Sequence, residues 1–168
     1  TQSRILSRLD GSEERASQAL AALEQAIALD PYYADAYAFL ALLYIGGGKA
    51  DEARMAIDTA FQMSPDQPSW YIRNRGIISY FEEDYVAAVS DFERSTELNP
   101  TAHFSRMWLA AALAKAGRIE DAEWEREEGL TLGAPDTVEA ILRSNQVIRD
   151  PAFRAAYAEG LRAAGVPG

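Results

Sequence analysis

The residues able to do chemistry are few, and their spacing argues against catalysis. His103 is the only histidine, no strong ligand sits three or four residues from it, and cysteine is absent. Neither a His/Cys metal site nor a Ser–His–acid nucleophile can be assembled from that inventory. Glu82-Glu83-Asp84 reads as a solvated helix connection. Glu123, Glu125, Glu127 and Glu128, interleaved with Trp124 and Arg126, read as an exposed helix with local ion pairs. Gly46-Gly47-Gly48 lacks the Lys-Ser/Thr pair of a phosphate loop and reads as a helix stop. No catalytic residue, metal or cofactor is expected, and the chain is read as non-enzymatic.

One polar group remains. Arg73-Asn74-Arg75 interrupts an otherwise apolar helical stretch. Arginine pairs well with carboxylate or phosphate, so the triplet is a candidate anion site. The competing reading pairs these arginines with the chain's own surplus of acids. That surplus is large: 26 acidic against 16 basic residues give a net charge of −10. Such a surface repels phosphate backbones, which argues against nucleic-acid binding and favours a basic or apolar partner. No run of eighteen apolar residues is present to cross a membrane. The lack of cysteine fits a cytoplasmic habit. Thr1 in place of Met is read as a domain cut from a longer protein, or one trimmed at its start.

The elements that position these residues follow from periodicity. Ile5, Leu6 and Leu9 form a short apolar piece ending at an Asp10-Gly11 turn, after which Ser12 caps a helix to Leu29. Ala34–Ile45 is a second helix, apolar on nearly every side and so expected to lie between neighbours. Return helices and further pairs follow at 51–63, 70–81, 85–98, 102–116 and 119–132. Pro31, Pro65 and Pro100 recur 34 and 35 residues apart, a period diagnostic of stacked helix–turn–helix units. Asp136 is expected to cap a helix reaching about Ile148. Asp150-Pro151 starts a last helix that Gly165 stops.

The pattern resembles the tetratricopeptide repeat. The 34–68 unit carries the whole motif as Tyr37, Leu40, Ala41, Tyr44, Ala53, Ile57, Ala60 and Pro65. The unit before it keeps Ala19, Leu23, Ala26 and Pro31. The third keeps Gly76, Tyr85, Ala88, Phe92, Ser95 and Pro100, and the fourth Leu109, Ala110, Leu113, Gly117, Ala122 and Gly129. The resemblance implies an all-α fold: a right-handed superhelix of antiparallel helix pairs, divided as 1–33 (a partial repeat), 34–68, 69–101 and 102–135, with two non-repeat helices over 136–168 covering the open edge of the stack. It also implies a concave groove lined by the first helix of each unit. Carried across residue by residue, the groove comprises Asp35, Ala38, Leu42, Ile45, Trp70, Arg73, Ile77, Tyr80, Phe104, Met107 and Ala111, with Asn74 and Arg75 added by the polar triplet. The Lys and Asn clamp of chaperone-binding members is missing.

A narrower likeness lies in the tail, Gly160-Leu161-Arg162 and Gly165-Val166-Pro167, with DPYYADAYAFLALLY and GRIEDAE. It is similar to the carboxy-terminal repeat region of bacterial class III adenylate/guanylate cyclase-type proteins and of winged-helix regulators. It implies a bacterial signalling protein whose catalytic or DNA-binding domain lies outside this segment. The expected function is a protein–protein interaction scaffold whose partner is a peptide, another protein or the parent's own amino-terminal domain. The alternatives are the regulatory part of a nucleotide cyclase and a homodimerisation scaffold, the latter exposing Leu20 and Leu23 because Thr1–Leu9 is too short to cover them.

Overall fold

The computed structural model describes residues 2–168, with side-chain surroundings from Glu13 onward. Nine helices make up its regular structure, with no strand among the described residues. They are α1 (Gln2–Leu29), α2 (Ala34–Gly46), α3 (Ala50–Met63), α4 (Ser69–Phe81), α5 (Tyr85–Leu98), α6 (His103–Lys115), α7 (Ile119–Thr131), α8 (Val138–Ser144) and α9 (Pro151–Ala163). The helices pair as α2 with α3, α4 with α5 and α6 with α7, and α1 packs on α2. The first members of the pairs, α2, α4 and α6, lie side by side as an inner layer, and the fold is the all-α solenoid expected.

The apolar periodicity explains the layers. The inner helix α6 is buried at every position from Met107 to Ala114, whereas the outer α7 buries only Ala122 and Gly129. A helix enclosed on most sides needs apolar residues all round; one facing solvent needs a stripe. Small residues mark the crossings. Ala41 and Ala110 are fully buried, and a Cβ added to Gly76 would stand 2.8 Å from the Phe92 ring. Two pair turns use a left-handed glycine, Gly48 (φ 80°) and Gly117 (φ 82°); the middle turn places Glu83 there instead (φ 63°). Asp84 compensates locally, its carboxylate accepting from the Ala87 N–H at 3.0 Å.

Two expected boundaries differ. The turn at Asp10-Gly11 is absent: the backbone is helical from Gln2 to Leu29, so no helix starts at Ser12. Glycine lowers helix propensity but keeps its N–H, so unlike proline it lets the ladder continue. The expected exposure of Leu20 and Leu23 beside Thr1–Leu9 falls partly outside the described side chains; both leucines are partly buried against the core.

The second difference is α8, a helix of 7 residues that ends at Ser144, well before Ile148. Thr137, rather than Asp136, caps it, accepting from the Ala140 N–H at 3.2 Å. The backbone N–H groups of Arg149 and Asp150 donate instead to the Gly46 carbonyl, at 2.7 and 2.9 Å, across the molecule. Asp150 is extended before Pro151, as the proline ring requires, and caps α9 through the Phe153 N–H at 2.9 Å.

Candidate functional site

The inner face of α2, α4 and α6 divides into a covered half and an open half. The connector 145–150 and α9 cover the ends of these helices. Tyr157 stacks on Trp108 with centroids 3.6 Å apart, and Phe153 stacks on Phe81 at 4.1 Å. The Tyr80 hydroxyl donates to the Ala156 carbonyl at 3.0 Å. Gly160 lets α9 settle there, because a Cβ would collide with the Tyr80 hydroxyl and lie 3.1 Å from Ala111. Burial pushes the Tyr80 and Tyr157 hydroxyls to titrate far above the usual phenol range.

The strap is fastened at both ends. Arg149 reaches the Leu43 carbonyl at 3.3 Å and Glu13 on α1 at 3.1 Å. At the far end Arg126 donates to the Gly165 carbonyl at 2.9 Å, and the Val138 N–H donates to the Pro167 carbonyl at 2.8 Å.

Beside the strap the face stays open as a cleft of about 410 Å³. Leu42 of α2, Arg73 and Ile77 of α4, and Phe104 and Trp108 of α6 line it, and Ser144, Asn145, Gln146 and Val147 form the opposite wall. An apolar recess of about 310 Å³ continues past Leu42 and Val147 between α1 and α2, lined by Ala19, Ala22, Leu23, Phe39 and Leu43.

The structure separates the polar triplet three ways. Arg75 pairs with Asp91 through two hydrogen bonds, 2.6 and 3.0 Å, and lies 4.2 Å over the Phe61 ring. Asn74 is fully buried and donates to the Ala38 carbonyl at 3.3 Å, tying α4 to α2. Arg73 alone faces the cleft. Its one polar contact among the described residues is the Asn74 carboxamide oxygen at 3.4 Å, and burial lowers its pKa.

The remaining candidates scatter. Leu42, Ile77 and Phe104 line the cleft with Arg73. Ala38, Ile45, Met107 and Ala111 are buried in the core. Tyr80 lies beneath α9, and Trp70 leans tilted on Phe39 and meets the Tyr71 ring edge-on. Asp35 accepts from the Tyr71 hydroxyl at 2.5 Å, holding α2 to α4; burial first, and that bond second, raise the tyrosine's pKa. Trp108 and the 144–147 wall were not among the candidates. The wall was hidden by reading Asp136–Ile148 as one helix; the polar Ser144-Asn145-Gln146 before Pro151 was the available signal of a break.

A family model described as tetratricopeptide repeat matches residues 12–72. Tetratricopeptide repeat protein 13 of Homo sapiens is 26% identical over 117 residues, 70% of this chain but 13% of that protein. The chain thus spans a small part of that relative's length. Among solved structures, a crystal structure of MamA superimposes with a TM-score of 0.62 at 15% identity, covering 97% of this chain and 90% of that one. YrrB, described as a TPR protein with an unusual peptide-binding site, gives 0.61 at 21% identity, covering 94% and 80%. The family model thus places tetratricopeptide repeats over residues 12–72, and the solved structures share the fold of the whole chain.

Proposed function

We propose that this chain is a non-catalytic binding module whose inner-face cleft receives a short peptide segment of a protein partner. The single observation that carries this reading is the cleft itself, where Leu42, Ile77 and Phe104 meet a cation beside the strap's backbone. Phe104 is 36% exposed, and that exposure is what an incoming apolar side chain would cover. The groove is smaller than the whole inner face: Tyr80 and Ala111 are spent on α9 and are left out of it, while Trp108 and Val147 enter. The division into units 34–68, 69–101 and 102–135 belongs to the same proposal, with each contributing one inner helix to the cleft.

A bacterial signalling parent, with a cyclase or winged-helix domain elsewhere, is a further proposal that rests on the tail resemblance. Within this fold the tail residues have packing duties: Gly160 admits Tyr80, Gly165 turns with φ 83°, and the Pro167 carbonyl accepts from Val138.

The test is a random peptide display selected on the wild-type chain, followed by fluorescence anisotropy with the recovered peptides. Phe104→Asp is expected to weaken binding about tenfold or more, since it puts a charge where apolar surface is buried. Equal affinity in wild type and variant would remove the cleft from the function.

A further inference from the structure

Resting on the cleft reading above, the ligand's chemistry can be narrowed. The chain holds 26 acidic residues, yet the lining of the cleft contains no carboxylate and one full charge, that of Arg73. Elsewhere the acids find their cations: Arg54 holds Glu82, Arg75 holds Asp91, Arg106 holds Glu125 and Arg149 holds Glu13. Arg73 has no acidic partner among the described residues, and its only polar neighbour is a neutral carboxamide. It is also partly stripped of water. Burial lowers its pKa with no carboxylate opposing the shift, the reverse of Arg54, whose bond to Glu82 raises its own. A cation in that condition gains more from an incoming anion than a hydrated surface arginine does.

We infer that the cleft selects a peptide carrying an Asp or Glu side chain, whose carboxylate pairs with the Arg73 guanidinium between two apolar contacts. The flanks fix the side-chain source. Arg73 stands on the middle helix, with Leu42 on α2 to one side and Phe104 with Trp108 on α6 to the other. A segment crossing the three helices therefore meets apolar, cationic and apolar surface in turn. A peptide ending in its terminal carboxylate at Arg73 would leave one apolar flank unfilled. A phosphate dianion would face a single guanidinium, with no second cation in the lining. The facing wall supplies only neutral polar groups, Ser144, Asn145 and Gln146, whose hydroxyl and amides can donate to the same carboxylate without competing for Arg73. The chain's overall acidity acts against such a ligand at long range, but salt screens that repulsion beyond roughly 8–10 Å at physiological ionic strength.

The experiment is an array of random octapeptides, made with amidated and with free carboxy termini and with phosphoserine in place of the acid in a third set, probed with wild type, Arg73→Gln, Arg73→Glu and Phe104→Asp. Every variant is first checked for unchanged helicity. Wild type is expected to enrich one Asp or Glu with apolar residues on both sides. Replacing that acid by its amide should weaken binding about ten- to hundredfold. Arg73→Gln should erase the acid preference while retaining weak apolar binding, and Arg73→Glu should turn it toward Lys or Arg. Apolar peptides bound with no acid preference, but lost in Phe104→Asp, would overturn the carboxylate and leave the cleft reading standing. An acid preference that survives Arg73→Gln, a need for a free carboxy terminus, or stronger binding of phosphoserine peptides would each overturn the inference too. No retained peptide, or retention indifferent to Phe104→Asp, would bring down the cleft and the inference together.

Discussion

The two halves of the inner face are built from the same three helices and meet opposite fates. On the covered half Tyr80 and Phe81 are enclosed by Tyr157 and Phe153 of α9. On the open half Leu42, Arg73 and Phe104 keep contact with solvent. Aromatic surface in a repeat array is therefore not by itself a ligand site. What distinguishes the halves is chemistry: the covered one is apolar and filled in cis, whereas the open one keeps a cation without an acid. A partner able to use the second need not displace the first.

That contrast sets the order of expected effects. Tyr157→Ala removes a fully buried ring stacked on Trp108, and should destabilise by about 3–5 kcal/mol. Phe104→Ala, on the open half, should cost about 1–2 kcal/mol, the burial value of a phenylalanine reduced by its exposure. Urea midpoints of the two variants measure the difference; similar losses would erase the distinction between the halves.

Gly160→Ala probes the same seam more gently. Its methyl group meets the Tyr80 hydroxyl, so a loss of about 1–3 kcal/mol is expected from overpacking. Tyr80→Phe removes that oxygen, and in the double variant part of the loss should return, a coupling a double-mutant cycle reads directly. Additive losses would mean that α9 is held elsewhere.

Much of this was legible in the sequence because it is written in period. Pro31, Pro65 and Pro100 with Ala41, Gly76 and Ala110 mark the pairs and their crossings, and the helix boundaries from 34 to 132 agree to within a residue or two. The strap was not legible, for a physical reason. Arg149 and Asp150 bond their backbone N–H groups to the Gly46 carbonyl, about a hundred positions away, and no local pattern encodes a bond of that kind. The same holds for the arginines. Arg73 and Arg75 look alike in sequence, and only the return of α5 brings Asp91 to one of them.

Smaller effects test the margins of the comparison. Glu83 sits in the left-handed region where the equivalent turns carry Gly48 and Gly117, so Glu83→Gly should stabilise by about 0.5–1 kcal/mol. A neutral or negative result would mean that the side chain compensates. Glu125, although 2.7 Å from Arg106, has its pKa raised, because burial outweighs the pair. The folded state thus binds that proton more tightly than the unfolded chain. Its contribution is fully present below the unfolded carboxylate pKa and declines as pH rises through the raised folded value. Glu125→Gln should lack that decline, so melting temperatures of the two proteins, followed upward from acid pH, should diverge in slope over this interval alone. Parallel curves would show that the pair, not burial, governs the group.

The most direct measurement is amide hydrogen exchange across α9 and α6 in the unliganded chain. If the strap is a fixed wall, the amides of Tyr157, Ala158 and Leu161 should be protected to the same degree as those of Leu109 and Leu113, all opening only with the core. Exchange in α9 that is orders of magnitude faster than in α6 would contradict this. The strap would then open on its own, and the whole inner face, with Tyr80 and Ala111 included, would be the binding surface.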